Sequence, residues 1–245
     1  MDFSDWFEGI KSVFKSKGWF GTICSYTLYM LIPVIGVMVY SGAIYERVNY
    51  VLKGKKNELP KINENFSLFL NRGLKMLLLS LILMPVILLL EISMIGVILI
   101  VPISLLLPAV YAHFLATDET IGRFFEFKEI WQRVKNGSES YLKYTLISFL
   151  YGFGTSFLIV PLIVAVEVPM LLLFNNMVEN SSDMSLWIFP LLFVLWIVMF
   201  FGITLIGSVQ SFGMTYYLAE YIKKAYDKIP TESSIVGDDQ LSDPA

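Results

Sequence analysis

The fold class follows from one uninterrupted segment, residues 141–174, which reads YLKYTLISFLYGFGTSFLIVPLIVAVEVPMLLLF. Lys143 and Glu167 are its only charged residues. A helix needs roughly 20 consecutive apolar residues to cross a bilayer, so this segment can span one with residues to spare. Similar apolar blocks recur along the chain, and together they predict an all-α, polytopic membrane protein. The other three blocks are residues 19–45, 74–116 and 186–221.

The composition of the whole chain of 245 residues supports this prediction. Hydrophobic residues make up 56% of it and charged residues only 16%, whereas soluble domains are about 25% charged. The mean hydropathy of +0.66 agrees. We expect residues 1–225 to form a single membrane domain and the polar residues 226–245 to form a disordered C-terminal tail.

Residue counts and motifs argue against several function classes. The single cysteine, Cys24, cannot form an internal disulfide, and the single histidine, His113, has no second histidine with which to bind a metal. Metallopeptidase, P-loop and serine-hydrolase motifs are absent from the sequence. A net charge of −3 argues against a nucleic-acid partner. We therefore expect no enzyme, no metal and no cofactor, and a structural or interfacial role for His113.

The distribution of basic residues predicts the membrane topology. Of the 18 lysines and arginines, 16 lie before the first block, between the first three blocks, or after the fourth, and Lys75 and Lys143 stand at the very start of the second and third blocks. Since connections rich in lysine and arginine stay in the cytoplasm, we expect residues 46–73, residues 117–140 and the C-terminus on the cytoplasmic side of a cell membrane. The turn near Glu91 and the loop 175–185 have no basic residue and are expected outside. Two transmembrane hairpins follow from this assignment, 74–116 and 141–221.

The first block, residues 19–45, leaves two alternatives open. A single spanning helix would place the N-terminus and its three lysines outside. A re-entrant pair of short helices, turning at residues 33–36, would return the chain to the cytoplasmic side, provided that protein or a wet cavity surrounds the turn. An amphipathic stretch and a glycine precede three of the blocks, which indicates either a threefold internal repeat or the residues usual at any membrane interface.

Amphipathic stretches at the N-terminus, at residues 62–70 and at residues 121–134 predict helices that lie in the membrane interface. Their hydrophobic residues recur at three- and four-residue spacing. Such helices either anchor the bundle or offer a docking face to anionic lipid, a peptide, a protein or a second copy of the chain. The candidate interface residues are Trp6, Phe14, Phe66, Phe69, Phe127 and Trp131.

Polar residues at membrane depth are candidates for function. Glu167 is expected about 12 Å from the outer loop along a helix, where it is either solvated near the interface or a substrate or coupling carboxylate. Ser208, Gln210 and Ser211 are expected deep in the fourth block, where hydrogen bonding between helices is the alternative to a binding role. The favoured function is a non-enzymatic membrane protein that binds lipid, a peptide or a protein partner. The alternative is a small transporter or channel with Glu167 in its pathway.

One passage resembles a known family. It comprises Gly42-Ala43-Ile44-Tyr45-Glu46-Arg47-Val48, Val51-Leu52, Gly54, Glu58-Leu59-Pro60, Phe66, Phe69 and Gly73-Leu74-Lys75. This pattern is similar to the prokaryotic membrane-protein family catalogued as domain of unknown function 4013, as are Pro108-Ala109-Val110-Tyr111 and Tyr141-Leu142. The resemblance covers about residues 10–225 and departs from the pattern at Ile62, near which a tryptophan is more typical. It implies a polytopic helical membrane protein of a bacterium or archaeon, and it implies no activity and no site residues.

Overall fold

The computed structural model describes residues 7–92, 94–117, 120–179 and 185–226. These residues form eight α-helices and a 3₁₀ helix at Ile121–Phe125, and no β-strand occurs among them, so the all-α prediction is confirmed. Apart from its first residue, the predicted tail 226–245 lies outside the described residues. The helices are α1 (Glu8–Phe14), α2 (Trp19–Tyr29), α3 (Ile35–Leu52), α4 (Ile62–Ile92), α5 (Met94–Ala116), α6 (Phe127–Asn136), α7 (Ser138–Glu179) and α8 (Ser185–Tyr226).

The first apolar block forms a pair of helices, α2 and α3, rather than one continuous helix. Pro33 interrupts the helical run, and Val34 takes a positive φ of 65° in the turn between them. The rings of Tyr26 and Tyr40 approach to 6.4 Å between centroids, so the second helix folds back along the first. With 11 residues, α2 is only about 16 Å long, which is about half the thickness of a bilayer core.

Helices α3 and α4 approach each other through glycine. A Cβ atom added at Gly42 would meet the backbone of Phe69, and one added at Gly73 would meet the backbone of Met38. Such close approach lets the two backbones pack without intervening side chains. An ion pair between Glu46 and Arg72 joins the same two helices.

The second apolar block divides into two helices near the predicted turn. Helix α4 ends at Ile92, one residue past Glu91, and α5 begins at Met94. Helix α4 also includes the stretch 62–70, which was predicted to form a separate amphipathic helix. The helix kinks at Asn65, where φ is −139°, and it continues through Gly73, whose missing side chain lets it pack on Met38 of α3.

Helices α7 and α8 are 42 residues each, or about 63 Å long, and they pack against each other in antiparallel fashion. Two stretches, Ser138–Leu172 and Leu192–Tyr226, are long and apolar enough to cross a membrane. The outer face of α7 is uncovered: Phe149, Phe153 and Phe157 are 69%, 58% and 65% exposed. They form a row at four-residue spacing, with neighbouring ring centroids 6.3 and 4.9 Å apart.

The N-terminal helix α1 lies against the end of the bundle that carries the loop 53–61. The Ser16 hydroxyl accepts a hydrogen bond from the Leu59 amide at 3.1 Å. The Gly9 amide donates to the Tyr217 hydroxyl of α8 at 3.2 Å, where the glycines Gly9 and Gly213 bring the two backbones close together. The start of the described chain, the loop after α3 and the C-terminal half of α8 therefore share one end of the molecule.

Candidate functional site

A cavity of about 410 Å³ lies among α3, α4, α5, α7 and α8. Its polar lining residues all carry hydroxyl groups, and none of the described residues that line it is charged. Such a lining can hydrogen-bond an uncharged hydroxyl, carbonyl or ester group while the remaining walls bury apolar surface. The lining residues are Tyr40, Ser41, Tyr45, Ser80, Tyr111, Tyr144 and Ser211, with the apolar Ile44, Val48, Met76, Leu107, Pro108, Leu115 and Leu218.

Two pairs of these hydroxyls face each other across helices. Tyr111 of α5 lies beside the hydroxyl of Ser80 on α4, and Tyr40 of α3 lies beside the hydroxyl of Ser211 on α8. Each hydroxyl can both donate and accept, so it can engage a guest molecule while keeping its neighbour. The cavity is therefore polar enough to orient a ligand and carries no fixed charge to attract an ion.

The polar residues predicted at membrane depth lie in different places in the structure. Ser208 and Ser211 lie beside Tyr40, whereas Gln210 accepts a hydrogen bond from Thr155 of α7 at 2.9 Å. Glu167 is exposed on α7 and is not among the residues that line the cavity. Because Glu167 follows Thr155 by twelve residues, it lies about 18 Å farther along the helix.

The candidate interface residues divide between surface and core. Phe14, Phe66, Phe127 and Trp131 are exposed, as an interface requires. Phe69 differs from the expectation, because it is completely buried against Gly42 and the ring of Tyr26 and contributes to the core instead. Trp6 lies outside the described residues.

Arg47 is a buried arginine that holds the loop 53–61. Its guanidinium donates hydrogen bonds to the carbonyl oxygens of Lys55, Lys56 and Glu58 and, at 3.1 Å, to the Ser12 hydroxyl of α1. Burial lowers its pKa to about 10, so it remains charged at neutral pH. One side chain thereby joins α3, the loop and α1.

His113, which is completely buried, is the centre of a second network. Its Nδ1 atom lies 3.0 Å from the Tyr226 hydroxyl of α8, and its Nε2 atom lies 2.9 Å from a carboxylate oxygen of Glu126. The hydrogen bond from His113, aided by Arg123 at 2.7 Å, lowers the pKa of the Glu126 carboxyl. The network ties the segment before α6 to α5 and α8, in keeping with the structural role expected of this histidine.

The same network offers a set of potential metal ligands. The ligand atoms of His113, Glu126 and Glu129 lie within 4.8 Å of one another. Each carboxylate is already paired with an arginine, Glu126 with Arg123 and Glu129 with Arg133. A divalent cation would have to compete with two guanidinium groups, so we interpret the cluster as an ion-pair network.

Comparison with known proteins supports the family resemblance that the passage 42–75 indicated. A family model described as a protein of unknown function, DUF4013, matches residues 25–164, which is more than half of the chain. The chain belongs to this family. The match includes Arg47, His113 and the cavity walls from Tyr40 to Tyr144, whereas Ser211 and Leu218 of α8 follow it. No curated protein and no solved structure matches the chain.

Sequence reasoning missed the cavity, the loop-binding role of Arg47 and the partners of His113. The spacing of tyrosine and serine along α3 to α5 was the available signal for the cavity, since five of its seven hydroxyl-bearing residues stand on these helices in otherwise apolar walls. Arg47 and Glu46 are charged residues close to the end of an apolar helix, and this position could have suggested a buried partner.

Proposed function

We propose that this member of the family is a non-enzymatic, multi-pass integral membrane protein that binds a neutral single-chain lipid or similar amphiphile. The uncovered apolar face of α7 supports the membrane assignment. Burying a phenylalanine side chain is favourable by roughly 1.5–3 kcal/mol, and Phe149, Phe153 and Phe157 leave a continuous row of this surface open. Lipid tails would cover it along a helix long enough to cross the bilayer.

The contacts of α1 support the re-entrant alternative for the first apolar block. In that arrangement α2 and α3 enter and return, so the N-terminus lies on the same side as the basic loop 53–61. Ser16 contacts this loop directly, and Ser12 contacts it through Arg47. A single span would separate them by the thickness of the bilayer. The positive-inside rule then assigns both termini to the cytoplasm.

The observation that carries the lipid assignment is the cavity with seven hydroxyl-bearing residues and no charged one in its lining. An ion or a charged solute would lose its hydration there without gaining an opposite charge. An uncharged glycerol, ester or hydroxyl group can instead hydrogen-bond the tyrosines and serines while its chain contacts the apolar walls. The cavity volume of about 410 Å³ suits one acyl chain with a small head group better than a whole diacyl lipid.

Lipid that copurifies with the full chain tests this function. We expect native mass spectrometry and solvent extraction to detect a neutral amphiphile bound to the purified protein. Ser211→Phe should fill the cavity and remove most of that ligand, since Ser211 is part of its wall. Ser156→Phe is the matched control, because Ser156 lies exposed on α7 and should leave binding unchanged.

Two outcomes would refute the lipid assignment. The first is a wild-type protein that copurifies with no neutral amphiphile, and the second is equal retention of the amphiphile in both phenylalanine variants.

The transporter alternative predicts ion or solute flux in liposomes that is lost in Glu167→Gln. The exposed position of Glu167, apart from the cavity lining, gives that alternative less support.

A further inference from the structure

The segment from the 3₁₀ helix through α6 carries a row of exposed aromatic residues beside lysines. Phe125, Phe127 and Trp131 are 51%, 63% and 52% exposed, although most aromatic side chains in this part of the molecule are buried. Lys128 and Lys135 are exposed next to them. We call these five residues the aromatic–lysine strip.

Helical geometry places the strip on one side of α6. Ile130 is buried against the core formed with Phe114 and Phe124, and Val134 packs on that core. Phe127 and Trp131, one turn apart, lie next to this buried side, and Lys128 and Lys135 follow around the helix within about 100° of Phe127. Buried, aromatic and cationic sectors therefore succeed one another around the helix.

The charged residues of this segment differ in whether they form ion pairs. Glu126 pairs with Arg123, and Glu129 pairs with Arg133. In the part of the chain that the structure describes, neither Lys128 nor Lys135 pairs with a carboxylate. Lys135 instead holds its ammonium 5.8 Å from the centre of the Trp131 ring. The strip thus presents two uncompensated positive charges beside its aromatic rings.

We propose that the strip binds the headgroup layer of an anionic leaflet, with its rings at the apolar boundary and its lysines on lipid phosphates. Amphipathic helices with aromatic and basic sectors bind membranes in this way, and each lysine near an anionic surface strengthens binding roughly five-fold. The inference rests on the membrane assignment proposed above. Helix α7, whose exposed apolar face includes Leu142, begins two residues after α6 ends, so one leaflet can meet both surfaces.

Intrinsic fluorescence of the full chain in nanodiscs tests the proposal. Trp131 is made the only tryptophan by replacing the other four with phenylalanine, and quenching by brominated lipid is compared with quenching by aqueous iodide. The matched control moves the tryptophan to the opposite side of α6, with Trp131→Phe and Asn136→Trp. If the tryptophan replacements fail to fold, a fluorophore on Phe127→Cys or Asn136→Cys in a Cys24→Ser background gives the same comparison.

We expect lipid-borne bromine to quench Trp131 strongly and iodide to quench it weakly, with the reverse at position 136. Adding phosphatidylglycerol to phosphatidylcholine discs should increase quenching of Trp131 by brominated lipid and decrease quenching by iodide. The double variant Lys128→Gln and Lys135→Gln, or added salt, should abolish this effect of phosphatidylglycerol. Equal iodide access at the two positions, or no response to phosphatidylglycerol, would overturn the proposal. Carbonate extraction from membranes tests the membrane assignment separately. If the protein stays in the membrane after extraction but iodide quenches Trp131, the membrane assignment holds and the lipid binding of the strip is refuted.

Discussion

At the scale of single residues, Arg47 is the side chain on which the loop 53–61 depends. Arg47→Met should lower the free energy of unfolding by about 3 kcal/mol, because the carbonyl oxygens of Lys55, Lys56 and Glu58 lose a shared donor. Denaturant unfolding of the detergent-solubilised protein measures the change. Lys53→Met is the control, since Lys53 is exposed and surface substitutions usually change stability by less than about 0.5 kcal/mol. Similar losses in both variants would contradict the assigned role.

The link between Glu126 and His113 should make the attachment of α6 depend on pH. The folded pKa of Glu126 lies below its ordinary value of 4.5, so its ionised form stabilises the fold above that value. This contribution is lost as the pH falls through the lowered pKa. We expect proteolysis at residues 120–126 to accelerate on acidification.

Glu126→Gln should show the faster cleavage already at neutral pH and lose the acid dependence that this carboxyl contributes. Glu139→Gln, at an exposed glutamate of α7, is the control and should behave as the wild type. An acid response that is unchanged in Glu126→Gln would show that another group produces it.

These networks also show what a single sequence cannot supply at this scale. The unique histidine predicted a structural role for His113, but its partners Glu126 and Tyr226 stand 13 and 113 residues away along the chain. Periodicity indicates which face of a helix is apolar, and it does not indicate which distant helix meets that face. For this reason the sequence could identify Ser208, Gln210 and Ser211 as polar residues at membrane depth. It could not show that the serines lie beside Tyr40 while Gln210 contacts Thr155.

At the scale of elements, the close packing of α3 on α4 depends on the missing side chain at Gly42. Gly42→Ala should destabilise the protein by about 2 kcal/mol, because its methyl group would overlap the Phe69 backbone. Gly152→Ala in α7 is the matched control. Nothing lies near a Cβ atom there, so higher helix propensity should leave the protein unchanged or more stable by up to about 1 kcal/mol. Thermal unfolding in detergent compares them, and equal effects would contradict the packing argument.

The sequence predicted most element positions and failed where a glycine inside a helix resembled a boundary. Pro33 and Gly36 indicated a turn in the first block, and the structure has that turn at residues 30–34. Gly73 stands at the join between residues 62–70 and the apolar part of α4, so this glycine and the change from polar to apolar residues looked like a boundary. The helix continues through Gly73 because a residue without a side chain is needed there for close packing on Met38 of α3.

At the scale of the whole molecule, the arrangement of α1 predicts where the N-terminus lies. In a Cys24→Ser background, Ser4→Cys should resist a membrane-impermeant maleimide in intact cells and react after permeabilisation. Asn180→Cys, in the loop expected outside, is the positive control and should react in intact cells. Labelling of Ser4→Cys in intact cells would refute the re-entrant arrangement.

The contact between Gly9 and Tyr217 also has a consequence for biosynthesis. It joins residues 208 positions apart, so α1 is synthesised long before the helix on which it docks. Until α8 is inserted, α1 lacks this contact and is held by Ser12, Ser16 and the packing of Val13 against α2 and α3. A nascent chain that ends before α8 would therefore leave Gly9 and Ile10 without their partners Tyr217 and Gly213. Full docking of α1 is thus a late step of folding, which follows the synthesis of α8.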